Sequence, residues 1–478
     1  MREQSLTRHI DWLRSLTPGN AVEAIVAALA SGVPEDTLWA TGALTACHAL
    51  NNQARNLLGF VSHAMIGCED ARRLAWGQPA PTRWLLIVQA LYQVVCDLHD
   101  PCFAPYTLLP FWPTREATLA ESIARLRVDV RFGEVMRCDH RLVALEQDLP
   151  RDALIDLLLD IGLEGMITDD HTLITPVLSL GMIELVGWQR GFPMLRWAVR
   201  YSASFPRTFA PYDRALALRA RYGLAAGAPA SVFQPERVAS LQAALLAADP
   251  ADRPEIAARA LADGHAPATV LAAVSLAGCA MYLMTEPVPH DDYDAVSREV
   301  APMHIGTTTN VLRESLQRLH PPTAALAAIQ GGSLLERGPS VLNAEFAFVP
   351  FVPSRPYPYP EDVAPLRRHA PARLLDLLAE SLVAREPRMA TAAVRAYADG
   401  GGDPEPLIGV LTAVACTDNG TLLHNFKHLH AMVEEFRACH VPDRWNYLIA
   451  AARFIAWYAG KWTEACDRAR DRMGVPAS

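Results

Sequence analysis

Two short stretches decide the fold: ALASGVPEDTL, Ala28–Leu38, and ALADGHAPATV, Ala260–Val270, which superpose without a gap at an offset of 232 residues. A helix is expected after each copy, followed by a histidine-led segment: CHALNNQARNLL from Cys47 in one half and MHIGTTTNVLRESL from Met303 in the other. His48 and His304 are therefore expected to be counterparts. Further along, LLPFWP ending at Pro113 answers FVPFVP ending at Pro353, and MITDDHTLITPVLSLGMIEL from Met166 answers ACTDNGTLLHNFKHLHAMVEEF from Ala415. The chain reads as a duplication.

What is duplicated is helical. NAVEAIVAALASG, ALIDLLLDIGLEGM, ARLLDLLAESLVA and WNYLIAAARFIAWYAGKW place apolar residues at three-and-four spacing, and no run sustains the period-two alternation of a strand. NAEFAFVPFVP, from Asn343, is the one strand-like stretch, and its prolines reduce it to an extended segment or an edge. The expectation is an all-α protein, an internally duplicated bundle of helical hairpins with two similar halves around a shared centre. Its divisions are expected at 1–204 for the first half, 205–235 for a Pro- and Gly-rich linker, and 236–478 for the second half.

Composition bounds the partners. With 51% hydrophobic and 20% charged residues the chain has the make-up of a folded protein with a large core, and 478 residues suit two domains or two similar halves. A formal charge of -9 with no basic stripe argues against nucleic acid and against anionic membranes. No uncharged apolar run approaches the length of a membrane span, and the first residues lack a secretory pattern, so a cytoplasmic location is expected. The nine cysteines are scattered and never spaced CxxC, which argues against a disulfide framework or a zinc knuckle. The oligomeric state is left open.

The candidate chemistry lies in the histidines. His48, His171, His304 and His424 fall one per repeat unit, each inside or at the start of an apolar helix. Neutral imidazole is a good ligand for iron, zinc or copper, so four inward-facing histidines could converge on one metal; each could equally be a satisfied core residue. Lys427 shares a helix face with His424 and is expensive to bury as an ammonium. It could pair with Asp418, Glu434 or another acid, reach to water, or lose its proton and capture carbon dioxide as a carbamate, an anionic oxygen ligand. His428, one turn beyond His424, is a candidate for acid–base work and, paired with His424, for a zinc-dependent hydrolase. Asp169 and Asp170 are either N-cap acids or acceptors that orient His171. His63, His320 and His440 read as surface or capping residues, and His430 lies on another helix face. Asn51, Asn52, Asn310, Phe111, Trp112 and Phe351, with Tyr357 and Tyr359, are candidate walls of an aromatic substrate pocket. There is no P-loop, no GxGxxG after a strand and no GxSxG elbow.

HALNNQARNLL and HIGTTTNVLRESL, each led by a histidine, together with HNFKHLHAM and its His-x-x-Lys core, resemble the questin oxidase-like family. The resemblance covers most of the chain in pattern, and only these segments in identity. It implies an α-helical non-haem iron oxygenase of secondary metabolism that opens a ring of an aromatic polyketide or quinone-type substrate by oxidative carbon–carbon cleavage, with molecular oxygen as co-substrate. It further implies Fe(II) held by His304, His424 and carboxylated Lys427, joined by His48 and His171. HTLI stands at His171 where the second half has HNFK, so a lysine ligand comes from one half only. The alternative is a non-catalytic helical scaffold that binds a partner or an apolar small molecule.

Overall fold

The computed structural model describes residues 3–51, 61–204, 207–286, 295–340 and 351–474, except the side chains of 3–5 and 295–299. Every regular element among them is helical, so the chain is all-α. None of the helices is long and apolar enough to cross a membrane. The strand-like stretch from Asn343 lies outside the described residues as far as 350, and 351–353 carry no regular structure.

The helices fall into two compact units, residues 1–212 with 464–478, and residues 213–463. The first holds α1 (Glu3–Ser15), α2 (Ala21–Ala30), α3 (Glu35–Ala49), α4 (Ala64–Leu74), α5 (Ala80–Leu98), α6 (Leu119–Arg131), α7 (Val135–Asp148), α8 (Arg151–Gly165), α9 (His171–Val186) and α10 (Trp188–Ser202). The chain changes units within α11 (Ala210–Arg221). The second unit holds α12 (Pro235–Ala247), α13 (Arg253–Ala262), α14 (Pro267–Leu283), α15 (Ala295–Ser315), α16 (Pro321–Arg337), α17 (Pro360–Val363), α18 (Pro371–Val383), α19 (Pro387–Asp399), α20 (Pro404–Ala415), α21 (His424–Ala438) and α22 (Trp445–Tyr458). The last helix, α23 (Glu464–Met473), packs on α2 and α5 of the first unit. The structure thus differs from the expected division in two places: the 205–235 segment carries α11, and the C-terminal helix belongs with the first unit.

Within the first unit α1 packs on α3, α2 on α5, α3 on α4 and α5, α4 on α9, and α9 on α8 and α10. Within the second, α12 packs on α14, α13 on α16, α14 on α15 and α16, α15 on α21, and α21 on α20 and α22. The matched sequence stretches make the same corner in each. Gly32 at φ +84° and Gly264 at φ +88° close their helices, where only glycine takes a left-handed turn without strain. Val33 N–H then bonds the Ala28 carbonyl at 3.1 Å, and His265 N–H the Ala260 carbonyl at 2.9 Å.

Helices α9, α14 and α22 are rich in apolar residues and buried along nearly their whole length, as central helices are. Glycines let their neighbours approach. A Cβ on Gly162 would lie 2.7 Å from the Thr172 carbonyl oxygen, so α8 crosses against the backbone of α9 just after His171. On the far part of α9, a Cβ on Gly181 would lie 2.1 Å from Glu69 Oε1, whose carboxylate is held by Arg72 and Arg73 at 2.8 and 2.6 Å. Gly306 serves α15 likewise, since its Cβ would meet Met432 of α21 at 2.7 Å.

Candidate functional site

In the first unit the starts of α4 and α9 bring two histidines together. His63 is the residue before α4, and its Nε2 stands 3.0 Å from Nε2 of His171, the first residue of α9; the rings meet edge to face at 78°. Both are buried. The other ring nitrogen of His171, Nδ1, lies 3.1 Å from Asp169 Oδ1 and 3.2 Å from Asp170 Oδ1. A proton on Nδ1 satisfies these carboxylates and leaves Nε2 as a lone pair, the arrangement that orients a metal-binding imidazole. Asp169 is itself fixed, accepting from Tyr201 Oη at 2.5 Å and from Arg207 Nη2 at 3.2 Å. Burial raises the pKa of Asp169, but the bond from His171 and the charges of Arg207 and His171 outweigh it, holding the carboxyl below the usual range. Burial and the Asp169 charge push Tyr201 well above its ordinary value, so it donates. Asp169 serves both of the roles expected for the acids, since its Oδ1 accepts the His171 backbone N–H at 3.2 Å as well as facing the ring nitrogen, while Asp170 occupies the N-cap position without a side-chain cap bond.

His63 in turn hangs on its neighbour. Ser62 Oγ donates to Asp97 Oδ2 at 2.5 Å while accepting from Ala64 N–H at 3.3 Å, which ties the entry of α4 to α5. Burial pushes Asp97 up to about 6, against the bonds from Ser62 and Gln93. His63 was expected at a surface or cap. It does occupy the helix start, but its side chain turns inward, and no local pattern distinguishes the two.

In the second unit His304 of α15 and His424 of α21 stack with ring centroids 5.0 Å apart at 34°. Lys427 Nζ lies 3.2 Å from His304 Nε2, and the lysine is only 2% exposed. His424 donates from Nδ1 to the Thr421 carbonyl at 2.6 Å, so its Nε2 also presents a lone pair. The acids that spacing offers to Lys427 are engaged elsewhere. Asp418 accepts from the N–H groups of Gly420, Lys461 and Trp462 at 2.9, 3.1 and 2.9 Å, and Glu434 faces Arg437 at 3.9 Å.

The approach to His424 is strained. Leu422 and Leu423 both sit in the left-handed region, at φ 52° and 65°. Each such residue costs about 1–2 kcal/mol when it is not glycine. Asp169 precedes His171 by two residues, whereas Asp418 precedes His424 by six, and the left-handed doublet lies among the residues between Asp418 and His424. A carboxylate faces the imidazole of His171, and the Thr421 carbonyl faces that of His424.

The remaining candidates are placed as follows. His48, at the end of α3, is half-buried, and its pKa is lowered by burial and by the charges of Arg196 and Arg14; its carbonyl accepts the Leu108 N–H at 3.0 Å. His428 turns from His424 into the core, donating from Nε2 to the Ala450 carbonyl at a long 3.4 Å between the rings of Tyr282 and Phe454. Burial lowers it to about 3, and its Nδ1 finds no partner. Asn310 donates to Glu435 at 2.9 Å, which also takes Ser275 and Arg313, so Glu435 of α21 ties α14 and α15 to its own helix. Asn51 is buried, its N–H on the Phe103 carbonyl at 2.8 Å; Asn52 lies outside the described residues. Phe111 packs on His140, with the Arg196 guanidinium 4.9 Å from its ring, while Trp112 is 82% exposed. Phe351 is half-buried against Gly338. Tyr357 and Tyr359 stack at 4.8 Å. All nine cysteines are free thiols.

These donors fit a transition metal. Two ligands each about 2.1 Å from one ion stand about 3 Å apart when they subtend a right angle, which is the spacing of the His63 and His171 Nε2 atoms. Asp169, Asp170 and His171 also offer one ligand atom each within 4.8 Å of one another. Comparison with protein-family models, with curated proteins and with solved structures found no match to this chain.

Proposed function

We propose that the protein is a metal-dependent oxygenase of the questin oxidase-like kind, acting on an aromatic polyketide or quinone-type substrate. The observation that carries this reading is that each unit holds a histidine pair, wholly buried in the first and with His304 half-buried beside buried His424 in the second, with at least one imidazole pinned through Nδ1: His171 on Asp169 and Asp170, His424 on the Thr421 carbonyl. Core histidines need only one satisfied nitrogen each; pinning the far nitrogen and facing the near one to another imidazole is the arrangement of ligands.

The reading includes a duplicated fold. In it α3, α4, α9 and α10 of the first unit correspond to α14, α15, α21 and α22 of the second, since each set packs in the same order. His304 of α15 then has its counterpart in His63 of α4, which takes the place expected of His48. His63, His171, His304 and His424 are the proposed imidazole ligands. Lys427 supplies an oxygen donor if its neutral amine adds to carbon dioxide, forming the N–C bond of a carbamate and releasing one proton. Lys427 is buried with its Nζ 3.2 Å from His304 Nε2, which places that donor beside the histidine pair.

Fe(II), when bound, supplies the means to activate dioxygen. The chain's own residues have other tasks. Asp169, Tyr201 and Arg207 keep the His171 imidazole in one tautomer and one orientation, and the apolar helices α9 and α22 exclude water from the pairs. The test is metal analysis followed by oxygen uptake: protein reconstituted anaerobically with Fe(II) should consume dioxygen with an anthraquinone-type substrate, and Lys427→Ala should abolish it. Protein that takes up no metal is instead a helical binding scaffold, with its histidines as core residues.

A further inference from the structure

We propose that Asp418 is a positioning residue: its carboxylate locks the turn between α20 and α21 in the strained shape that aims the His424 imidazole. The inference rests on the reading of His424 as a metal ligand.

Asp418 is wholly buried, and its carboxylate is held by backbone N–H groups. Its Oδ1 takes the N–H of Gly420 and its Oδ2 takes those of Lys461 and Trp462, so one carboxylate staples two segments of backbone, the turn before α21 and the loop after α22. The same two segments are joined again by Asn419 N–H on the Trp462 carbonyl at 3.2 Å, and by the Trp462 ring lying over Gly420, where a Cβ would come within 1.9 Å of it. Asn425 closes the turn from the other side. Its Nδ2 donates to the carbonyls of Ala415 and Asp418, both at 2.8 Å, and its Oδ1 accepts from Thr421 Oγ1 at 3.1 Å. The backbone held in this way is the one that carries the left-handed Leu422 and Leu423 and presents the Thr421 carbonyl to His424 Nδ1.

Leu422 is nearly half exposed, so its left-handed conformation is not explained by side-chain packing. Something must hold the doublet against its preference for the right-handed region, and the Asp418 staple meets the backbone on both sides of the turn. Three N–H donors need acceptors on both oxygens. An asparagine offers one acceptor and turns an N–H donor toward the others. Asp169 and Asp418 thus do one job by two routes: Asp169 touches its imidazole directly, and Asp418 acts through the turn.

The experiment is a Co(II) titration of the full-length, metal-free chain, followed by visible absorption, for the wild type, Asp418→Asn, Leu422→Gly and the double variant. Asp418→Asn should bind Co(II) about 10–100-fold more weakly, the usual effect of removing an outer-shell support, with its far-UV circular dichroism unchanged. Leu422→Gly alone should bind within about threefold of wild type, because glycine takes the left-handed turn freely. In the double variant it should restore most of the lost affinity, a rescue that general destabilisation does not produce. Unaltered binding by Asp418→Asn, or no rescue by Leu422→Gly, overturns the proposal. A metal-free readout separates it from the metal reading: nitrogen NMR of labelled histidines should show His424 as a single Nδ1–H tautomer in wild type and as a mixture in Asp418→Asn. If wild type takes up no Co(II), the metal reading falls; an unchanged tautomer in Asp418→Asn overturns the positioning role in either case.

Discussion

His428→Leu makes the sharpest stability test of the packing beneath the histidine pair. His428 is enclosed by Tyr282 and Phe454, with a long 3.4 Å bond to the Ala450 carbonyl, and burial lowers its pKa from the ordinary 6.5 to about 3. A histidine whose folded value is depressed contributes stability that is present above its unfolded value and is lost as pH falls toward its folded one. Each pH unit in that window is worth about 1.4 kcal/mol. Near pH 4.5 the wild type has therefore lost about 3 kcal/mol through this residue, and the loss approaches roughly 5 kcal/mol near pH 3. Leucine has no proton to gain. Near neutral pH it gives up a weak hydrogen bond and also removes the unpartnered Nδ1, so the variant should stay within about 1 kcal/mol of wild type. Calorimetry of metal-free protein should show the variant melting higher than wild type by roughly 6–12 °C near pH 4.5 for a unit of this size. Equal melting temperatures at that pH would mean that His428 titrates normally and that the core around it is open to water.

Three further outcomes follow from the same geometry. Asp97 is raised to about 6 from 3.8, so the stability it contributes is greatest below about pH 4 and is lost as pH rises toward 6; Asp97→Asn should flatten that limb of the stability profile, and an unchanged slope would contradict it. Gly162→Ala should destabilise by about 1–3 kcal/mol, because its Cβ meets the Thr172 carbonyl oxygen at 2.7 Å and backbone cannot step aside; thermal melting checks this, and a neutral result would show that α8 can shift on α9. His63→Ala should lower metal uptake while His48→Ala leaves it intact, as read by elemental analysis; the reverse result would restore His48 to the site.

Much of the architecture was legible because it lives in periodicity. Three-and-four spacing identifies the helices, and the matched stretches at Ala28 and Ala260 place two corners that fold alike. The pair His304 and His424 and the nearby Lys427 were legible too, since recurrence and spacing pointed to them. His63 was not. It lies past the segment that pattern-matching aligned with His304, and a histidine before a helix start looks the same whether its ring faces solvent or another imidazole. Asp97 and Ser62, which hold His63, are far apart in sequence and carry no motif. The aromatic residues misled for a related reason: Pro-aromatic segments announce a rigid loop, but not which way each ring turns, and Trp112 turns outward while Phe111 packs under Arg196. Asn310 donates to Glu435, a partner 125 residues away that no local pattern announces.

The most direct test of the account is the metal content of protein purified without a histidine tag or added metal, before and after anaerobic loading with Fe(II), for wild type and for His63→Ala, His304→Ala and His424→Ala. The account predicts iron in the wild type and less in each variant, with the helical circular dichroism retained. A wild type that holds no metal even after loading would contradict it, and would return the histidine pairs to core packing.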